Sequence, residues 1–347
     1  MTRRDWLSIA GTALSYSAIV DAEEPPLRNM GGAPAGFPVR SRAARGGGKP
    51  FDFVEFCHGL GFGVVETRVD LANAEAVREL RRKLDSYNMR CILDVPLPRE
   101  EAAVPAFDAA LKSAHEIGVR SLHAAMTQRR YEEFDNLEAF KRSFERNQKT
   151  VALAEPVLRK HQIKLGLENH KGWRSAEQAA WLKRLGSEWV GVHFDFGNNV
   201  SLCEDPNETL TNLLPYIVSC HLKDMAVEPY DQGFLLSEVP LGDGFLDIKG
   251  MVATIQKRDP NTPFDLEMIT RDPLKIPVFT EKYWATFDDR YSPLPGRDLA
   301  RVLQIVHHNK PKTPLPQTTG MSVEAQLALE DECVRKSIAY ARKNLAL

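Results

Sequence analysis

Four residues of metal-binding types follow apolar, β-branched segments of the chain at equivalent positions. The set consists of three carboxylates and one imidazole, namely Glu168, Asp195, His221 and Glu267. Oxygen-rich ligation with one nitrogen suits Mn, Mg or Co, with Zn or Fe as further options. A single polar residue after a strand more often caps the next helix, but four in equivalent places form a far more specific pattern. We therefore expect these four side chains to bind one divalent metal ion.

The segments that end in these residues belong to a longer alternation of strand and helix patterns. Apolar runs predict strands over 63–69, 90–95, 119–123, 163–168, 190–195, 217–221 and 263–267, with an earlier candidate over 37–41. Helical spacing of apolar residues predicts helices between them, over 51–60, 72–87, 106–117, 137–160, 175–185, 207–216 and 248–256.

This alternation implies parallel strands joined by right-handed helical crossovers. The candidate strands fit a closed (β/α)8 TIM barrel, in which the active site lies at the C-terminal ends of the strands. The alternative is an open doubly wound sheet. Such a fold is expected to carry a G-x-G-x-x-G phosphate-binding turn, which the sequence lacks. The predicted fold class is therefore α/β, a (β/α)8 TIM barrel with a C-terminal helical and irregular extension.

The composition is that of an ordinary globular protein. The 347 residues carry 45 Lys and Arg against 47 Asp and Glu, a net charge of −2, and 43% of them are hydrophobic. The near-neutral charge argues against a nucleic-acid partner, and no window holds the ~20 apolar residues that a membrane-spanning helix needs. The five cysteines are far apart and form no C-x-x-C pair, which argues against a disulfide framework or a zinc knuckle.

Both ends of the chain differ from the barrel pattern. Residues 1–22 place paired arginines ahead of a mildly apolar stretch and resemble a twin-arginine export signal. We expect a periplasmic or exported protein, and the alternative is a cytoplasmic protein with an ordinary N-terminal helix. Residues 23–290 are expected to form the barrel domain. Residues 291–347 are expected to form an extension that packs on the barrel, with helices over 296–308 and 323–346.

Five short segments extend the pattern around the four ligand candidates. They are Leu167-Glu168-Asn169-His170-Lys171-Gly172, His193-Phe194-Asp195-Phe196-Gly197-Asn198, Cys220-His221-Leu222-Lys223-Asp224, Leu241-Gly242-Asp243-Gly244 and Leu266-Glu267. In this order they resemble the xylose-isomerase-like TIM-barrel superfamily, often described as the sugar phosphate isomerase/epimerase family. The resemblance runs from about residue 51 to residue 267. It implies that the four candidates are the metal ligands and that Glu168 and Glu267 form the catalytic acid/base pair.

Further polar residues near the ligand candidates are candidates for substrate binding. These are His170, Asn198, Lys223 and Arg271. Lys223 follows His221 by two residues and so lies on the same side of an extended segment, where an ammonium would stabilise an oxyanion. Each of the four has a structural alternative, such as a loop hydrogen bond, a helix cap or a salt bridge. Earlier strands end in further candidates for the pocket lining, namely Glu66, Asp94 and His123.

The expected chemistry is proton transfer next to a carbonyl group. A metal-bound carbonyl and a nearby carboxylate allow an enediolate to form, which predicts a metal-dependent isomerase or epimerase of a sugar or keto-sugar. A lyase or dehydratase acting on a keto-sugar or 3-keto-glycoside uses the same enolate and is the alternative. A non-catalytic sugar-binding barrel would predict an inert residue in at least one ligand position, and all four positions hold competent ligands. The expected partner is a small carbohydrate, with a homo-oligomer as an option.

Three positions depart from the ketose 3-epimerases of this superfamily. Arg174 lies in the region where those enzymes carry a second Glu, and Asn198 stands where they carry a His. Val227 lies where they carry an Arg after the metal-binding His. These departures argue against a simple epimerase of free ketoses.

Overall fold

The computed structural model describes residues 25–46, 51–127, 129–311 and 313–347, so the expected signal over 1–22 lies outside the described residues. The strands are β1 (Leu27–Gly32), β2 (Phe62–Thr67), β3 (Arg90–Asp94), β4 (Ser121–Ala124), β5 (Lys164–Glu168), β6 (Val190–Asp195), β7 (Ile217–Leu222), β8 (Asp224–Tyr230), β9 (Gly233–Val239), β10 (Phe264–Leu266) and β11 (Leu274–Ile276). The helices are α1 (Pro38–Gly46), α2 (Phe53–Gly59), α3 (Ala74–Tyr87), α4 (Val104–Ile117), α5 (Arg130–Glu133), α6 (Leu137–His161), α7 (Ser175–Leu185), α8 (Pro206–Leu213), α9 (Ile248–Arg258), α10 (Glu281–Trp284), α11 (Gly296–His308) and α12 (Val323–Asn344).

Eight of these strands close into a barrel in the order β1, β10, β7, β6, β5, β4, β3, β2. Every neighbouring pair is parallel, which confirms the predicted (β/α)8 barrel. The register pairs His221 with Asp195 on one side and with Asp265 on the other. Side chains from β6, β7 and β10 therefore share one level of the barrel interior.

The first barrel strand is β1, so the strand candidate over 37–41 is wrong. Pro38 opens α1 instead, because its fixed φ suits the first turn of a helix. The sequence of β1 is Leu-Arg-Asn-Met-Gly-Gly, which contains no β-branched run that would signal a strand. The fold requires Gly31 in β1, since a Cβ at this position would overlap Oδ1 of Asp265.

A second sheet, which the sequence patterns did not predict, follows the strand that carries His221. Strands β8 and β9 form an antiparallel hairpin, and β11 pairs with β9. An apolar cluster joins this sheet to α10 and α11 through residues such as Phe234, Tyr283 and Val302. Helices α10 and α11, which follow the last barrel strand, thus pack against an apolar surface of the inserted sheet.

The last helix, α12, packs against α1 near the start of the barrel. The buried carboxylate of Glu330 accepts the backbone N–H groups of Val39 at 2.8 Å and Arg40 at 3.0 Å. These two donors lie in the first turn of α1, where N–H groups have no partner within the helix. None of the helices within the described residues is long and apolar enough to span a bilayer.

The first residue of β8, Asp224, organises the loop that contains the Leu241-Gly242-Asp243-Gly244 segment. Its carboxylate accepts four backbone N–H groups, from Met225 at 2.8 Å, Gly242 at 2.9 Å, Gly244 at 3.0 Å and Leu246 at 3.2 Å. Burial raises the pKa of Asp224 to about 6, although the N–H donors act in the opposite direction. The segment is therefore explained by a structural role, because its backbone wraps around one buried carboxylate.

We predict that Asp224→Asn lowers the free energy of unfolding by about 3 kcal/mol, because the new amide presents a donor to buried N–H groups that need an acceptor. Urea unfolding in the presence of a chelator measures this loss without a contribution from bound metal. Asp243→Asn is the matched control, since this neighbouring carboxylate is only half-buried, and it should change stability by less than about 0.5 kcal/mol. Equal stabilities of the two variants would contradict the role of Asp224.

Candidate metal centre

Four acidic and imidazole side chains meet at the mouth of the barrel. Glu168 and Asp195 are the last residues of β5 and β6, His221 lies one residue before the end of β7, and Glu267 directly follows β10. Each of the four is buried and offers a ligand atom within 4.8 Å of those of the other three. The structure thus brings together the four residues that the sequence analysis selected.

The donor set fits a divalent cation. His221 Nδ1 is buried without a hydrogen-bond partner among the described residues. It lies 3.8 Å from Glu168 Oε1 and 3.6 Å from Glu267 Oε1. Metal–ligand bonds of ~2.1 Å place neighbouring ligand atoms roughly 3–4 Å apart, which matches these separations. A cation among these atoms would satisfy the unpaired nitrogen and both carboxylates.

Glu66 orients the imidazole of His221 from the opposite side. The Nε2 atom of His221 lies 3.0 Å from Oε2 of Glu66, at the end of β2. With Nε2–H donated to this carboxylate, Nδ1 is the nitrogen that faces Glu168 and Glu267, where a metal ion would displace its proton. Carboxylates commonly hold metal-binding histidines in this way and fix their tautomer. Sequence reasoning placed Glu66 only in the pocket lining.

Amide and backbone groups hold the carboxylates in place. Asp195 Oδ1 accepts the N–H groups of Gly197 and Asn198, each at 2.9 Å. The side chain of Asn198 donates to Glu168 Oε1 at 2.8 Å and accepts from the ammonium of Lys171. Asn198, which the sequence analysis proposed as a substrate-binding residue, is therefore hydrogen-bonded to Glu168, one of the four ligand candidates.

Lys223 lies beside two of the carboxylates. Its Nζ is 2.6 Å from Asp195 Oδ2 and also donates to Glu267 Oε2. Burial alone would lower the pKa of Lys223, but Asp195 and Glu267 outweigh it and raise the pKa above its ordinary value. Burial raises the pKa of Asp195 to about 6, whereas Lys223 and His221 lower that of Glu267 to about 2 against the effect of burial.

The other two substrate-binding candidates have defined partners. His170 Nδ1 lies 2.7 Å from the carbonyl oxygen of Thr127 and donates its proton there. Burial lowers the pKa of His170. The guanidinium of Arg271 donates through two nitrogens to the buried carboxylate of Glu238, on the inserted sheet. Arg271 and Glu238 thus connect the loop after β10 to strand β9.

The sequence analysis missed two buried residues of this region, Lys171 and His193. Lys171 lies three residues after Glu168, and burial, aided by the charge of Lys223, lowers its pKa to about 8. His193 lies two residues before Asp195 in β6, and burial lowers its pKa well below the ordinary value. The period-two alternation of a strand places His193 on the same side as Asp195, which is the signal that could have identified it.

A cavity of about 810 Å³ opens beside the barrel mouth, next to Asp94 and His123. Several cationic side chains line it, namely Arg68, Arg99, Arg146 and Lys149. Arg68 forms an ion pair with Asp94 at 2.8 Å. The lining gives this side of the mouth a positive electrostatic character.

The sequence of residues 49–285 matches the family model of the xylose isomerase-like TIM barrel. This chain belongs to that family. Proteins that resemble the chain in sequence or structure are named for more than one type of reaction. A 3-oxo-isoapionate decarboxylase of Pectobacterium atrosepticum is 30% identical over 108 residues, which cover 30% of this chain and 39% of the relative. The chain therefore aligns with about two fifths of that decarboxylase.

Two solved structures share the barrel with this chain at low sequence identity. A sugar phosphate isomerase/epimerase from Parabacteroides distasonis superposes with a TM-score of 0.51 at 15% identity, covering 94% of this chain and 97% of the other. A D-psicose 3-epimerase from Clostridium cellulolyticum gives a TM-score of 0.52 at 13% identity, with coverages of 84% and 92%. At these identities the likeness establishes the fold alone.

We predict that Lys171→Met stabilises the metal-free protein at pH 7 by about 3 kcal/mol, the free energy that corresponds to the lowered pKa of this buried lysine. Between pH 8 and pH 10.5 the folded state holds fewer protons than the unfolded state, so wild-type stability rises with pH through this window. The advantage of the variant should therefore shrink toward pH 10.5.

Urea unfolding at pH 7 and pH 10 with a chelator present measures both effects. Lys164→Met, at an exposed position of β5, serves as the control and should show no such dependence. A difference between wild type and Lys171→Met that stays constant with pH would show that Lys171 is not destabilised by burial.

Proposed function

We propose that this protein is a divalent-metal-dependent isomerase or epimerase that moves a proton next to the carbonyl group of a sugar or keto-sugar. The observation that carries the proposal is the buried meeting of Glu168, Asp195, His221 and Glu267, with His221 Nδ1 unpaired among them. A divalent cation bound here supplies Lewis-acid polarisation of a carbonyl and its neighbouring hydroxyl group, which acidifies the adjacent C–H bond.

In this proposal, Glu267 accepts the proton from carbon. The Lys223 ammonium lowers the pKa of Glu267 despite burial, so this group is ionised at neutral pH and can act as a base. After proton transfer it is a carboxylic acid beside the Lys223 ammonium and can return the proton. Return at the neighbouring carbon gives isomerisation, whereas delivery to the opposite face by Glu168 gives epimerisation.

Lys223 and Asn198 position these two carboxylates. Lys223 fixes Glu267 through Oε2, and Asn198 fixes Glu168 through Oε1. The ammonium of Lys223 also supplies a positive charge close to where negative charge develops on the substrate oxygen. We assign both residues, like His170 and Arg271, to the substrate-facing side of the site.

A second candidate is a lyase, favoured by the sequence similarity to a 3-oxo-isoapionate decarboxylase and by the cationic cavity lining. When a 3-oxo acid loses CO2, the C–C bond breaks and its electron pair forms an enolate, to which a proton is then added at carbon. Elimination from a keto-sugar or 3-keto-glycoside passes through the same enolate. Arg146 and Lys149 would then bind the carboxylate of an acidic substrate.

The organisation of the whole chain is also part of the proposal. Residues 1–22 would direct export by the twin-arginine route, residues 23–290 would form the catalytic domain, and residues 291–347 would cover it. An exported enzyme meets unphosphorylated sugars, which favours neutral or oxidised sugars and glycosides as substrates. A homo-oligomer is compatible with this assignment.

The metal site is tested by elemental mass spectrometry of the full chain after loading with Mn²⁺. We predict near-stoichiometric metal in the wild type and loss of most of it in Asp195→Asn and His221→Ala, because each removes a ligand atom. Glu228→Gln, at an exposed position of β8, is the control and should bind metal normally. A folded wild type that takes up no divalent ion would contradict the proposed site.

Catalysis is tested by proton exchange into ketoses, keto-sugars and 3-keto-glycosides in deuterated water, followed by NMR. We predict that Glu267→Gln slows exchange at least about 100-fold, as expected for loss of a general base. Metal content measured on the same sample separates loss of the base from loss of the ion. Unchanged exchange in Glu267→Gln with metal bound would exclude Glu267 as the base.

The two candidates differ in their response to the cavity lining. If the substrate is a 3-oxo sugar acid, Arg146→Met and Lys149→Met should raise KM for that acid about 10-fold and leave kcat nearly unchanged. Release of CO2 is the readout. Neutral keto-sugars turned over equally well by wild type and both variants would instead support the isomerase or epimerase.

A further inference from the structure

We propose that Glu66, His123 and His193 bind a second divalent cation, on the far side of His221 from the first site. The inference goes beyond the proposed function, because neither proton transfer nor loss of a leaving group at the first site requires this ion. It rests on side chains that converge inside the barrel and on a buried nitrogen of His193 that has no hydrogen-bond partner among the described residues.

The ligand atoms have the spacing of a coordination shell. Glu66, His123, His193 and His221 each offer an atom within 4.8 Å of those of the others, and all four residues are buried. Glu66 Oε2 accepts Nε2–H of His221 at 3.0 Å and lies 3.7 Å from Nδ1 of His123, so its carboxylate is held beside both rings. Bonds of ~2.0–2.2 Å to a zinc-type ion place ligand atoms roughly 3–4 Å apart, so atoms that already lie within 4.8 Å of one another need only small side-chain shifts to bind one ion.

His193 supplies an independent observation. Its side chain is fully buried, and Nε2 has no hydrogen-bond partner among the described residues. The other ring nitrogen, Nδ1, lies 2.7 Å from the Ser219 hydroxyl, which fixes the ring. The ring centroid is 4.0 Å from that of His221 and 4.5 Å from that of His123. A buried polar atom without a partner is costly, and a cation bound to Nε2 would remove that cost.

His123 is oriented as a metal-binding histidine. Its Nδ1 lies 2.7 Å from Asp94 Oδ1 and donates its proton there, the arrangement by which carboxylates orient metal-binding histidines. Its Nε2 then presents a lone pair to Glu168 Oε2 at 3.3 Å. Two lone pairs at this distance repel unless a proton or a metal ion lies with them. A metal ion bound to Nε2 of His123 would take the place of the proton in this contact.

The two sites differ in donor chemistry. The first has three carboxylates and one imidazole, whereas the second has two imidazoles and one carboxylate. Nitrogen-rich sets favour Zn, Co, Ni or Fe, and oxygen-rich sets favour Mg or Mn. The geometry thus assigns a borderline-soft ion to the second site and a harder ion to the first. Glu66 can bind the second ion and still accept the Nε2–H of His221, because an ionised carboxylate has about four lone pairs.

The test loads the full chain with excess Mn²⁺ and one equivalent of Zn²⁺, then removes unbound metal and measures both elements. We expect one Mn and one Zn per wild-type chain. His193→Phe keeps the ring but removes the ligand nitrogens, so it should lose Zn and retain Mn. Asp195→Asn is the matched control and should lose Mn and retain Zn.

X-ray absorption at the zinc edge gives a second readout that needs no variant. The first site has one imidazole and the second has two, so scattering from two imidazoles supports the proposal even if His193→Phe does not fold. A single imidazole on zinc, or one ion in total per wild-type chain, would overturn it. Two bound metals without any proton exchange would count against the proposed function while leaving the second site intact.

Discussion

Carboxylates crowded around His221 impose the strongest physical constraint on this protein. Five of them lie inside the barrel and are at most 8% exposed, namely Glu66, Glu168, Asp195, Asp265 and Glu267. Like charges this close together in a low-dielectric interior repel one another, and each loses its hydration. Lys223 neutralises part of this charge, and protonation removes more, since burial raises the pKa of Asp265 to about 8 and that of Asp195 to about 6. The carboxylates also raise the pKa of His123 to about 10 against the effect of burial, so its imidazolium balances part of the charge, and bound cations are a further means.

The barrel makes room for this polar interior with small residues on its inner face. Gly31 of β1 leaves the space that Asp265 occupies, and a Cβ at Gly166 of β5 would lie only 3.0 Å from that of His193. The parallel register then brings His221 level with Asp195 and Glu168 level with His193. Glycines that weaken the strand signal in the sequence are thus the residues that allow charged and imidazole groups to meet inside the barrel.

The strength of the strand signal in each segment decided which parts of the structure the sequence could predict. Glu168, Asp195, His221 and Glu267 could be selected because each closes or follows an apolar segment that is recognisable as a strand. Strand β1 could not, because it contains no β-branched residue, ends in Gly31 and Gly32, and is followed by the helix-opening Pro38. His193 was not selected although it lies two residues before Asp195, because it stands inside the apolar segment rather than at its end and all six residues of β6 are buried. A parallel strand covered on both faces is buried throughout, so its position in the segment does not mark an inward-facing polar residue as functional.

The contacts of Lys223 in the metal-free protein cannot all persist when a metal ion binds at the first site. Asp195 Oδ1 is already occupied by the N–H groups of Gly197 and Asn198, so an entering cation must use Oδ2, the oxygen that Lys223 contacts at 2.6 Å. The ammonium and the cation therefore compete for the same lone pairs. A single positive charge cannot balance the carboxylates that face it, and a divalent ion brings two. The ammonium would then be held mainly by Glu267, the base in our proposal, so that metal binding and positioning of the base become coupled through this one lysine.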